Sequence, residues 1–381
     1  MSQDVRVPVP FHGWSERTRA WRADVLDVMA RVSRSDAFIL KDQVALLERR
    51  IAAEVGVRHA VACAGGTGAL QLGLLAHGIG AGDDVITPAY SFIASASTIA
   101  LVGARPVFAD VDEETATLAP TAVTAALKAA ERPVRAILPA HLFCNLADMA
   151  GLRGPADEHG ALLIEDSAIS LGAAAAGRPA GGLGDLGVLS FFPGKPLGGI
   201  GDGGMVLTDD DEAAGAVREL RNHGQDSRVR FLYHRVGINS RMDEVTAAFL
   251  LRRLEHFDGV LRRRRALAER YQERLRPLAP ALRTPPDGFA ERSVYTYAVR
   301  AEDRDALRAF LLERGIETVV HYPRPLPLQP VFRHLGHAPG DFPVAERLAA
   351  TVLALPLHEE MDPGTVDRVA AEIARFYGAR P

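Results

Sequence analysis

A lysine and an aspartate follow two consecutive apolar segments near the middle of the chain. Residues 161–165 lead into Asp166, and residues 186–192 are followed by Lys195. Short apolar runs are typical of buried strands, and parallel sheets bind ligands at the carboxyl ends of their strands. Pyridoxal 5′-phosphate requires a lysine that holds its aldehyde as a Schiff base and a carboxylate that keeps its pyridine nitrogen protonated. The pair therefore predicts a pyridoxal-phosphate site.

Each residue of this pair also has a simpler interpretation. A single lysine is usually a surface residue, and Asp166 is equally able to cap a helix that begins at Ser167. Lys195 differs from a typical surface lysine because no other charged side chain occurs from residue 191 to residue 201, in a glycine-rich loop. The hydroxyl of Ser190 comes just before that loop. Lys195, Asp166 and Ser190 together favour a binding site, although neither Lys195 nor Asp166 would indicate one alone.

A second glycine-rich segment is a candidate phosphate site. Residues 64–70, Ala-Gly-Gly-Thr-Gly-Ala-Leu, follow an apolar segment and open a helical pattern. Glycines allow a phosphate to approach the backbone closely, and a helix N-terminus offers free N–H groups and the positive end of its dipole. A tight strand-to-helix turn is the alternative interpretation. No lysine follows the glycines, so the segment is not a Walker loop.

Two segments that match G-x-G-x-x-G, residues 182–187 and 199–204, do not favour a dinucleotide site. That motif has to lie between a strand and a helix. Both segments instead lead into predicted strands, at 188–192 and 205–208.

Composition excludes several classes of protein. The chain has 381 residues, enough for two domains, and its formal net charge of −4 argues against a nucleic-acid-binding surface. Cys63 and Cys144 form no C-x-x-C pair and lie in apolar runs, so buried free thiols are expected rather than a disulfide. His334 and His337 fit a surface turn better than a metal site, and no metal is expected.

Signals of export or membrane insertion are also missing from the sequence. Residues 1–6 do not form a basic-then-apolar leader, and no apolar stretch reaches the roughly 18 residues that a membrane span needs. We therefore expect a cytoplasmic protein with neither a membrane nor a nucleic acid as partner.

Strand-like and helix-like segments alternate from residue 59 to residue 208. The predicted strands are residues 59–63, 84–87, 106–109, 136–139, 161–165, 187–192 and 205–208. Helical patterns lie between most of them, at 67–76, 94–102, 120–130 and 147–159. This alternation predicts an α/β fold whose large domain has a mostly parallel sheet, seven-stranded by this count, with helices on both faces.

The remaining sequence predicts a smaller α+β domain. A helical stretch from 242 to 275 contains four consecutive arginines at 262–265, which are most simply a solvated helix face. A proline-rich linker at 277–286 is followed by predicted strands at 295–300 and 317–321, a helix at 304–314 and two further helices. We divide the chain into residues 1–255, the large domain with its N-terminal segment, and residues 256–381, the small C-terminal domain.

Further motifs occur in order along the chain. They are Gly66-Thr67, Pro88-Ala89-Tyr90-Ser91-Phe92-Ile93-Ala94-Ser95, Pro106-Val107-Phe108 with Asp110 and Asp112, Glu165-Asp166, Ser190-Phe191-Phe192-Pro193-Gly194-Lys195, Gly201-Asp202-Gly203-Gly204, Gly237-Ile238-Asn239-Ser240-Arg241-Met242 and Phe342-Pro343-Val344-Ala345-Glu346. Across nearly its whole length the chain resembles the DegT/DnrJ/EryC1/StrS sugar aminotransferases, which are fold-type I pyridoxal-phosphate enzymes. His321-Tyr322-Pro323 and Leu328-Gln329-Pro330 are most similar to the branch that acts on 3-keto nucleotide sugars.

The resemblance implies roles for individual residues in binding the cofactor. Lys195 corresponds to the Schiff-base lysine, the catalytic residue, and Asp166 to the partner of the pyridine nitrogen. Phe92 corresponds to the aromatic residue that lies on the cofactor ring. The residues that correspond to the phosphate cradle are Gly66, Thr67 and Ser190.

The resemblance also implies partners and an activity. Asn239 corresponds to an asparagine that reaches the cofactor phosphate of the neighbouring subunit, which implies a homodimer with a shared active site. His321 and Tyr322 are the expected substrate contacts. The implied reaction moves an amino group, with glutamate as donor, to a dTDP- or UDP-linked keto-deoxyhexose, 3-keto rather than 4-keto. An aminocyclitol aminotransferase and a catalytically silent regulatory protein are the alternatives; the latter would need a DNA-binding module for which the chain has no basic segment.

Several positions depart from the family pattern. Ile169 stands where a Gln or His commonly contacts the phenolic oxygen of the cofactor, and Ser170 is the nearest alternative donor. Gly65 replaces a usual Ser or Asn in the phosphate turn, Pro327 replaces a histidine of the 3-amino branch, and Lys41 replaces a glycine near the substrate. These changes leave the sugar and the carbon that is aminated open.

Overall fold

The computed structural model describes residues 8–378, so the prediction about a leader at residues 1–6 lies outside the described residues. The strands are β1 (His59–Cys63), β2 (Asp84–Pro88), β3 (Arg105–Ala109), β4 (Val134–Ile137), β5 (Leu162–Asp166), β6 (Ala174–Ala175), β7 (Arg178–Pro179), β8 (Leu186–Ser190), β9 (Gly204–Thr208), β10 (Leu282–Arg283), β11 (Tyr297–Ala301) and β12 (Val352–Leu355). The helices are α1 (Trp14–Ser35), α2 (Asp42–Val55), α3 (Gly66–Ala76), α4 (Ala94–Leu101), α5 (Pro120–Ala129), α6 (Met149–Glu158), α7 (Asp211–Leu220), α8 (Glu244–Leu254), α9 (Phe257–Leu275), α10 (Arg304–Glu313), α11 (Pro343–Thr351) and α12 (Pro363–Phe376).

The predicted α/β architecture with a mostly parallel sheet is confirmed. Seven strands pair in the order β1-β9-β8-β5-β4-β2-β3. The pairs from β8 to β3 are parallel, whereas β9 is antiparallel to both β1 and β8. Parallel strands bring their carboxyl ends to one edge of the sheet, which is where the residues after β5 and β8 meet.

Both faces of the large sheet are covered, because successive residues of a strand point to opposite sides. In β5, Leu163 packs in the apolar cluster that contains α5 and α6, whereas Ile164 packs in the cluster that contains α3 and α7. The same alternation separates the two carboxylates that follow. Glu165 continues the face of Leu163, and Asp166 continues the face of Ile164, on the side of helix α3.

The smaller α+β domain has the antiparallel order β10-β11-β12, with α9, α10 and α12 packed in one apolar core. Three predictions about this region were wrong in detail. Residues 317–321 form no strand, since only Val319 makes an isolated bridge, with Ala354 of β12. The helical stretch from 242 to 275 is interrupted between Leu254 and Phe257, and the proline-rich linker contains the short strand β10. The division of the chain at residue 255 stays a prediction.

The prediction of a fully solvated arginine run at 262–265 was also wrong. Arg262 and Arg263 are exposed, but Arg264 is 1% exposed and lies against Glu359. A helix turns 100° per residue, so four consecutive residues on a packed helix cannot all face solvent.

Two long N-terminal helices were not predicted from the sequence. Helix α1 packs on α8 through Trp21, Val28 and Phe249. The start of α2 is held by a buried carboxylate from α8, since Glu244 accepts hydrogen bonds from the backbone N–H groups of Lys41 (2.8 Å), Gln43 (2.8 Å) and Val44 (3.1 Å). This contact takes the place of a local N-cap side chain.

Cys63 and Cys144 are free and buried, as expected, and burial raises the pKa of each thiol to about 11. Within residues 8–378, no three His, Cys, Asp or Glu side chains gather in a way that would hold a metal ion. No helix in that range combines the length and the apolar character that crossing a membrane requires.

Candidate active site

A cavity of about 560 Å³ opens at the carboxyl ends of the parallel strands. It is lined from below by the sheet and the first turn of α3, and from the side by the small domain. The residues singled out from the sequence that line it are Gly66, Thr67, Phe92, Asp166, Ser190, Lys195, His321 and Tyr322. The structure therefore brings together segments that are far apart in the chain; Asn239, which was expected to act on the neighbouring subunit, is not among the residues that line this cavity.

Lys195 is half-buried in this cavity and lies in the loop between β8 and β9. Its backbone N–H donates to the carbonyl of Phe192 (2.8 Å), and its carbonyl accepts from Arg17 (3.3 Å). Its Nζ lies 4.4 Å from the centre of the Tyr295 ring and, within residues 8–378, forms no ion pair with a carboxylate. Burial lowers the pKa of Lys195 to about 8, against the opposing effect of the Asp166 charge. The lowered pKa gives this amine a larger neutral fraction near pH 7 than an ordinary lysine has, which favours its action as a nucleophile and base.

Asp166 ends β5 with few hydrogen bonds for a buried carboxylate. It accepts from the backbone N–H of Ala168 (3.2 Å) and from the hydroxyl of Ser95 (3.3 Å). Burial raises the pKa of this carboxyl, while the Ala168 N–H and the Lys195 charge oppose the rise. A cationic ring nitrogen placed beside it would remove the cost of burying the charge, so Asp166 fits the protonated pyridine of pyridoxal phosphate.

Glu165, the neighbour of Asp166, was seen in the sequence only as part of a motif. One carboxylate oxygen accepts from His141 Nε2 (2.7 Å), Ser167 (2.6 Å) and the Gly181 N–H (2.6 Å). His141 Nδ1 accepts from the N–H of Ala147 (3.0 Å), so its proton is assigned to Nε2. Burial by itself would raise the pKa of Glu165, but the His141 bond and the other donors lower it below the usual value.

The glycine-rich turn before α3 forms the other end of the cavity. A Cβ at Gly66 would lie 2.8 Å from the Cβ of Ser190, so only glycine allows this close approach. The first hydrogen bond of α3 runs from the Ala69 N–H to the Gly65 carbonyl (2.9 Å), which leaves the preceding N–H groups without an intrahelical partner. With the hydroxyls of Thr67 and Ser190 beside them, these groups fit a phosphate.

Uncharged aromatic and imidazole groups form the outer wall. Phe92 is 53% exposed, and its ring centre lies 6.1 Å from that of Tyr322. The Tyr90 hydroxyl donates to the His321 carbonyl (2.5 Å) and accepts from the Tyr322 N–H (2.7 Å), which fixes this segment against the large domain. Burial lowers the pKa of His321 to about 4 and raises the pKa of Tyr322. Both side chains are therefore neutral near pH 7.

Asn239 does not line the cavity of its own chain. It is exposed and accepts a hydrogen bond from Arg241 Nε (2.9 Å). Its neighbour Ser240 is buried and accepts from the N–H of Ala64 (3.3 Å), so the segment runs along the outside of the phosphate turn.

Residues that depart from the family pattern are divided between the cavity and its surroundings. Ile169 and Gly65 line the cavity, whereas Ser170 is buried outside it. Pro327 lines a separate open pocket on the small domain, and Lys41 is exposed at the start of α2. Tyr295, which sequence reasoning missed, lies beside the amine of Lys195; nothing in its local sequence distinguishes it from an ordinary strand residue.

Comparisons with known proteins agree with this geometry. Residues 20–374 match the model of the DegT/DnrJ/EryC1/StrS aminotransferase family. The chain is 41% identical to a "pleiotropic regulatory protein" of Geobacillus stearothermophilus, covering 97% of this chain and 98% of that one. It is 39% identical to the UDP-2-acetamido-2-deoxy-3-oxo-D-glucuronate aminotransferase of Pseudomonas aeruginosa, covering 90% and 93%. The crystal structure of S. venezuelae DesV in complex with a ketimine intermediate superimposes with a TM-score of 0.92 at 38% identity, covering 97% and 98%.

The family relationship, the fold-type I architecture and the pyridoxal-phosphate cofactor that the sequence predicts are thereby confirmed. The chain belongs to the DegT/DnrJ/EryC1/StrS family and is a pyridoxal-phosphate-dependent aminotransferase.

Proposed function

We propose that this enzyme aminates a nucleotide-linked keto-deoxyhexose, carried on dTDP or UDP, with the ketone at C3 rather than C4 and with glutamate as amino donor. The observation that carries the proposal is the outer wall of the cavity. His321 and Tyr322 are neutral polar groups, and Lys195 is the one Lys or Arg among the described residues that line the cavity. Such a wall suits a sugar ring with hydroxyls, and the Pseudomonas aeruginosa relative is named for a 3-oxo nucleotide sugar.

We propose distinct roles for the cofactor and for the two charged residues of the cavity. Pyridoxal phosphate, when bound, supplies an electron sink for the carbon that loses or gains the proton. Lys195 would hold the cofactor aldehyde, and its Nζ in the neutral form would take and return that proton. Asp166 keeps the ring nitrogen protonated, because a carboxylate next to a basic group favours its charged form.

The remaining cofactor contacts follow from the shape of the cavity. We assign the phosphate to the first turn of α3, and Phe92 would contact the ring. The residues assigned to the phosphate are Gly66, Thr67 and Ser190. Because the N–H groups of a helix N-terminus are preformed, this end orients the cofactor before any substrate enters.

A homodimer with a shared site accounts for two features of the surface. The substrate diphosphate needs cations that the cavity of one chain lacks, and Arg228, Arg230 and Arg235 occupy an exposed loop before Asn239. The same loop exposes apolar side chains, among them Phe231 (68%) and Val236 (95%). Exposed apolar groups next to cations are typical of a surface that a second subunit covers. Asn239 of one subunit would then contact the cofactor phosphate of the other.

A substrate screen tests the sugar assignment. The enzyme is incubated with ¹⁵N-glutamate and dTDP- or UDP-linked 3-keto and 4-keto-6-deoxyhexoses, and each product is identified by mass. We expect the label in a 3-amino nucleotide sugar, and none with Lys195→Ala as control. Labelling of a free keto-cyclitol in place of the nucleotide sugars would support the aminocyclitol alternative.

The same screen tests the regulatory alternative, which the name of the Geobacillus stearothermophilus relative favours. Borohydride reduction should attach the cofactor to the peptide that contains Lys195. Attachment there without amination of any keto-sugar would support a silent cofactor-binding protein; attachment at another lysine would contradict the site itself.

Mixing two inactive variants tests the shared site. A dimer of one Lys195→Ala chain and one Asn239→Ala chain contains one site with both residues intact. We therefore expect activity to return on mixing and subunit exchange. Recovery should fail if each chain completes its own site.

We also propose a cytoplasmic location. Two buried free thiols, Cys63 and Cys144, support a reducing compartment. Fractionation of the producing cell tests this directly.

A further inference from the structure

A buried cluster of charges lies behind the loop of Lys195, outside the cavity described above. Its central group is the carboxylate of Glu359, 3% exposed, which accepts hydrogen bonds from three guanidinium groups. Arg17 of α1 and Arg253 of α8 bind one oxygen, each at 3.1 Å, and Arg264 of α9 binds the other at 2.8 Å. We call these four residues the arginine cluster.

Positive charge exceeds negative charge in the arginine cluster. Three guanidinium groups meet one carboxylate. Glu16 and Glu360, which are adjacent in sequence to members of the cluster, are exposed and form no ion pair with these arginines among the described residues. Buried charges are costly unless they are paired, so the protein leaves a charge of about two positive units for another group to neutralise.

Hydrogen-bond donors in and around the arginine cluster also exceed the acceptors. Arg253 Nε, His358 Nδ1 and Trp21 Nε1 are buried and have no hydrogen-bond partner among the described residues. The indole of Trp21 lies between the guanidinium groups of Arg17 (4.8 Å) and Arg253 (4.2 Å). Because buried polar nitrogen atoms are nearly always paired, three unpaired ones in this region indicate that a hydrogen-bond partner is missing.

A small cavity adjoins His358 and two arginines of the cluster, whereas Arg253 and Trp21 do not line it. Its volume is about 10 Å³, and its walls include Arg17, Arg264, His358, Gly194 and Tyr295. The imidazole of His358 is 5% exposed and packs directly on Gly13, where any Cβ would overlap the ring. A space of this size accommodates one particle of about the size of a water molecule.

We propose that this cavity binds a single monatomic anion, chloride under physiological conditions. The anion would accept from Arg17 and His358 and neutralise part of the excess charge. It would connect helix α1, the loop of Lys195 and the small domain, since Arg17 also donates to the Lys195 carbonyl and Arg264 to the carbonyls of Val294 and Leu357. Chloride would therefore stabilise the wall of the active site without taking part in the reaction.

Tryptophan fluorescence of the holoenzyme tests this proposal. The chain has two tryptophans, and both Trp14 and Trp21 lie beside Arg17. Bromide quenches indole fluorescence through its heavy nucleus, so bromide bound in the cavity should quench with a saturable dependence on its concentration. Chloride should compete and restore the emission, with sodium gluconate keeping the ionic strength constant.

Two variants connect the signal to the cavity. Arg17→Gln keeps a polar side chain but removes one charge, and we expect halide affinity to fall at least about tenfold, the loss of one charge-assisted hydrogen bond. Arg252→Gln is the matched control, because Arg252 is an exposed arginine one residue before Arg253. Its halide affinity should equal that of the wild type.

A second measurement on the wild type keeps the proposal testable if Arg17→Gln does not fold. The midpoint of thermal unfolding should rise by at least about 2 °C in sodium chloride relative to gluconate at equal ionic strength. Purely linear quenching that chloride does not relieve, with no such rise, would show that the cavity holds water. Protection by formate or glutamate but not by chloride would assign it to a carboxylate. Either result overturns the proposal.

Discussion

Glu165 and Asp166 are adjacent carboxylates on one strand, and the protein treats them in opposite ways. Glu165 accepts five hydrogen bonds of 2.6–3.2 Å, whereas Asp166 accepts two, of 3.2 and 3.3 Å. Strand geometry sends the first toward α6 and the second toward α3 and the cavity. A buried charge that the chain satisfies with its own neutral donors is structural. One that it leaves with few partners is available to a ligand.

The arginine cluster shows the same difference between satisfied and unsatisfied buried charges, but the unsatisfied charge here is positive. Both carboxylate oxygens of Glu359 accept hydrogen bonds from the three arginines, but the Nε of Arg253 has no hydrogen-bond partner among the described residues. Lys195 connects the two regions, since the charge of its amine interacts with that of Asp166 and its carbonyl accepts from Arg17. On one side of the lysine the structure favours an added cation, and on the other an added anion.

The largest effect should come from Asp166→Asn. The amide keeps the shape and one acceptor but loses the charge that favours a protonated ring nitrogen. We expect kcat to fall at least about 100-fold, with the free energy of unfolding nearly unchanged. Steady-state kinetics with the best substrate of the screen and denaturant unfolding of the apoprotein provide the two measurements. Activity within tenfold of wild type would contradict the assignment of Asp166.

Glu165→Gln should show the opposite pattern. Its amide nitrogen would face N–H and O–H donors that now bind a carboxylate, so the free energy of unfolding should fall by about 2–4 kcal/mol. We expect kcat to change less than tenfold in the folded fraction. Urea unfolding and kinetics at low temperature separate these effects. If kcat falls as far as in Asp166→Asn, the distinction between the two carboxylates is wrong.

Acid sensitivity should depend on Glu359. Burial opposes its ionisation, but the charges of Arg264, Arg17 and Arg253 lower its pKa from 4.5 to about 2. Because the folded pKa is the lower one, the stabilisation is complete above about pH 4.5 and is lost as the pH falls toward 2. It amounts to about 3 kcal/mol at neutral pH.

Glu359→Gln should therefore be less stable at pH 7 and lose less stability between pH 4.5 and 2. Denaturant unfolding at several pH values measures this. Glu360→Gln is the control, because that side chain is exposed and should leave the profile unchanged. Parallel profiles for Glu359→Gln and wild type would show that the pairing contributes nothing to acid stability.

The cavity floor could be predicted from sequence because its residues are near the ends of strands with strong local patterns. Lys195 and Asp166 follow apolar runs, and Gly66 opens a helix, so topology alone brings them to one edge. The edges of the small domain were less predictable. Residues 317–321 carry a strand-like pattern, yet the strand that pairs with β11 is β12. The four residues of β12 follow directly after a helical pattern, so the sequence does not mark them as a separate strand.

The arginine cluster could not be predicted from local patterns at all. Arg17 and Glu359 are separated by 342 positions, and Arg264 is one of four consecutive arginines that the sequence does not distinguish. Burial of such a residue is decided by which face of α9 packs on the small domain. Only the folded arrangement reveals the excess of donors there.

The smallest expected effect concerns Ile169. It tests the comparison of satisfied and unsatisfied groups at a single hydrogen bond. Its apolar side chain lines the cavity where relatives were expected to donate to the phenolic oxygen of the cofactor, and Ser170 lies outside the cavity. Ile169→Gln introduces a donor, and one hydrogen bond to a charged group contributes roughly 1.5–3 kcal/mol. The visible absorbance of the bound cofactor should then titrate at a different pH, with the deprotonated oxygen held more firmly in the variant. Ile169→Leu, which adds no donor, should titrate like the wild type. Superimposable curves for all three proteins would show that another group already satisfies this oxygen and that Ile169 serves only in packing.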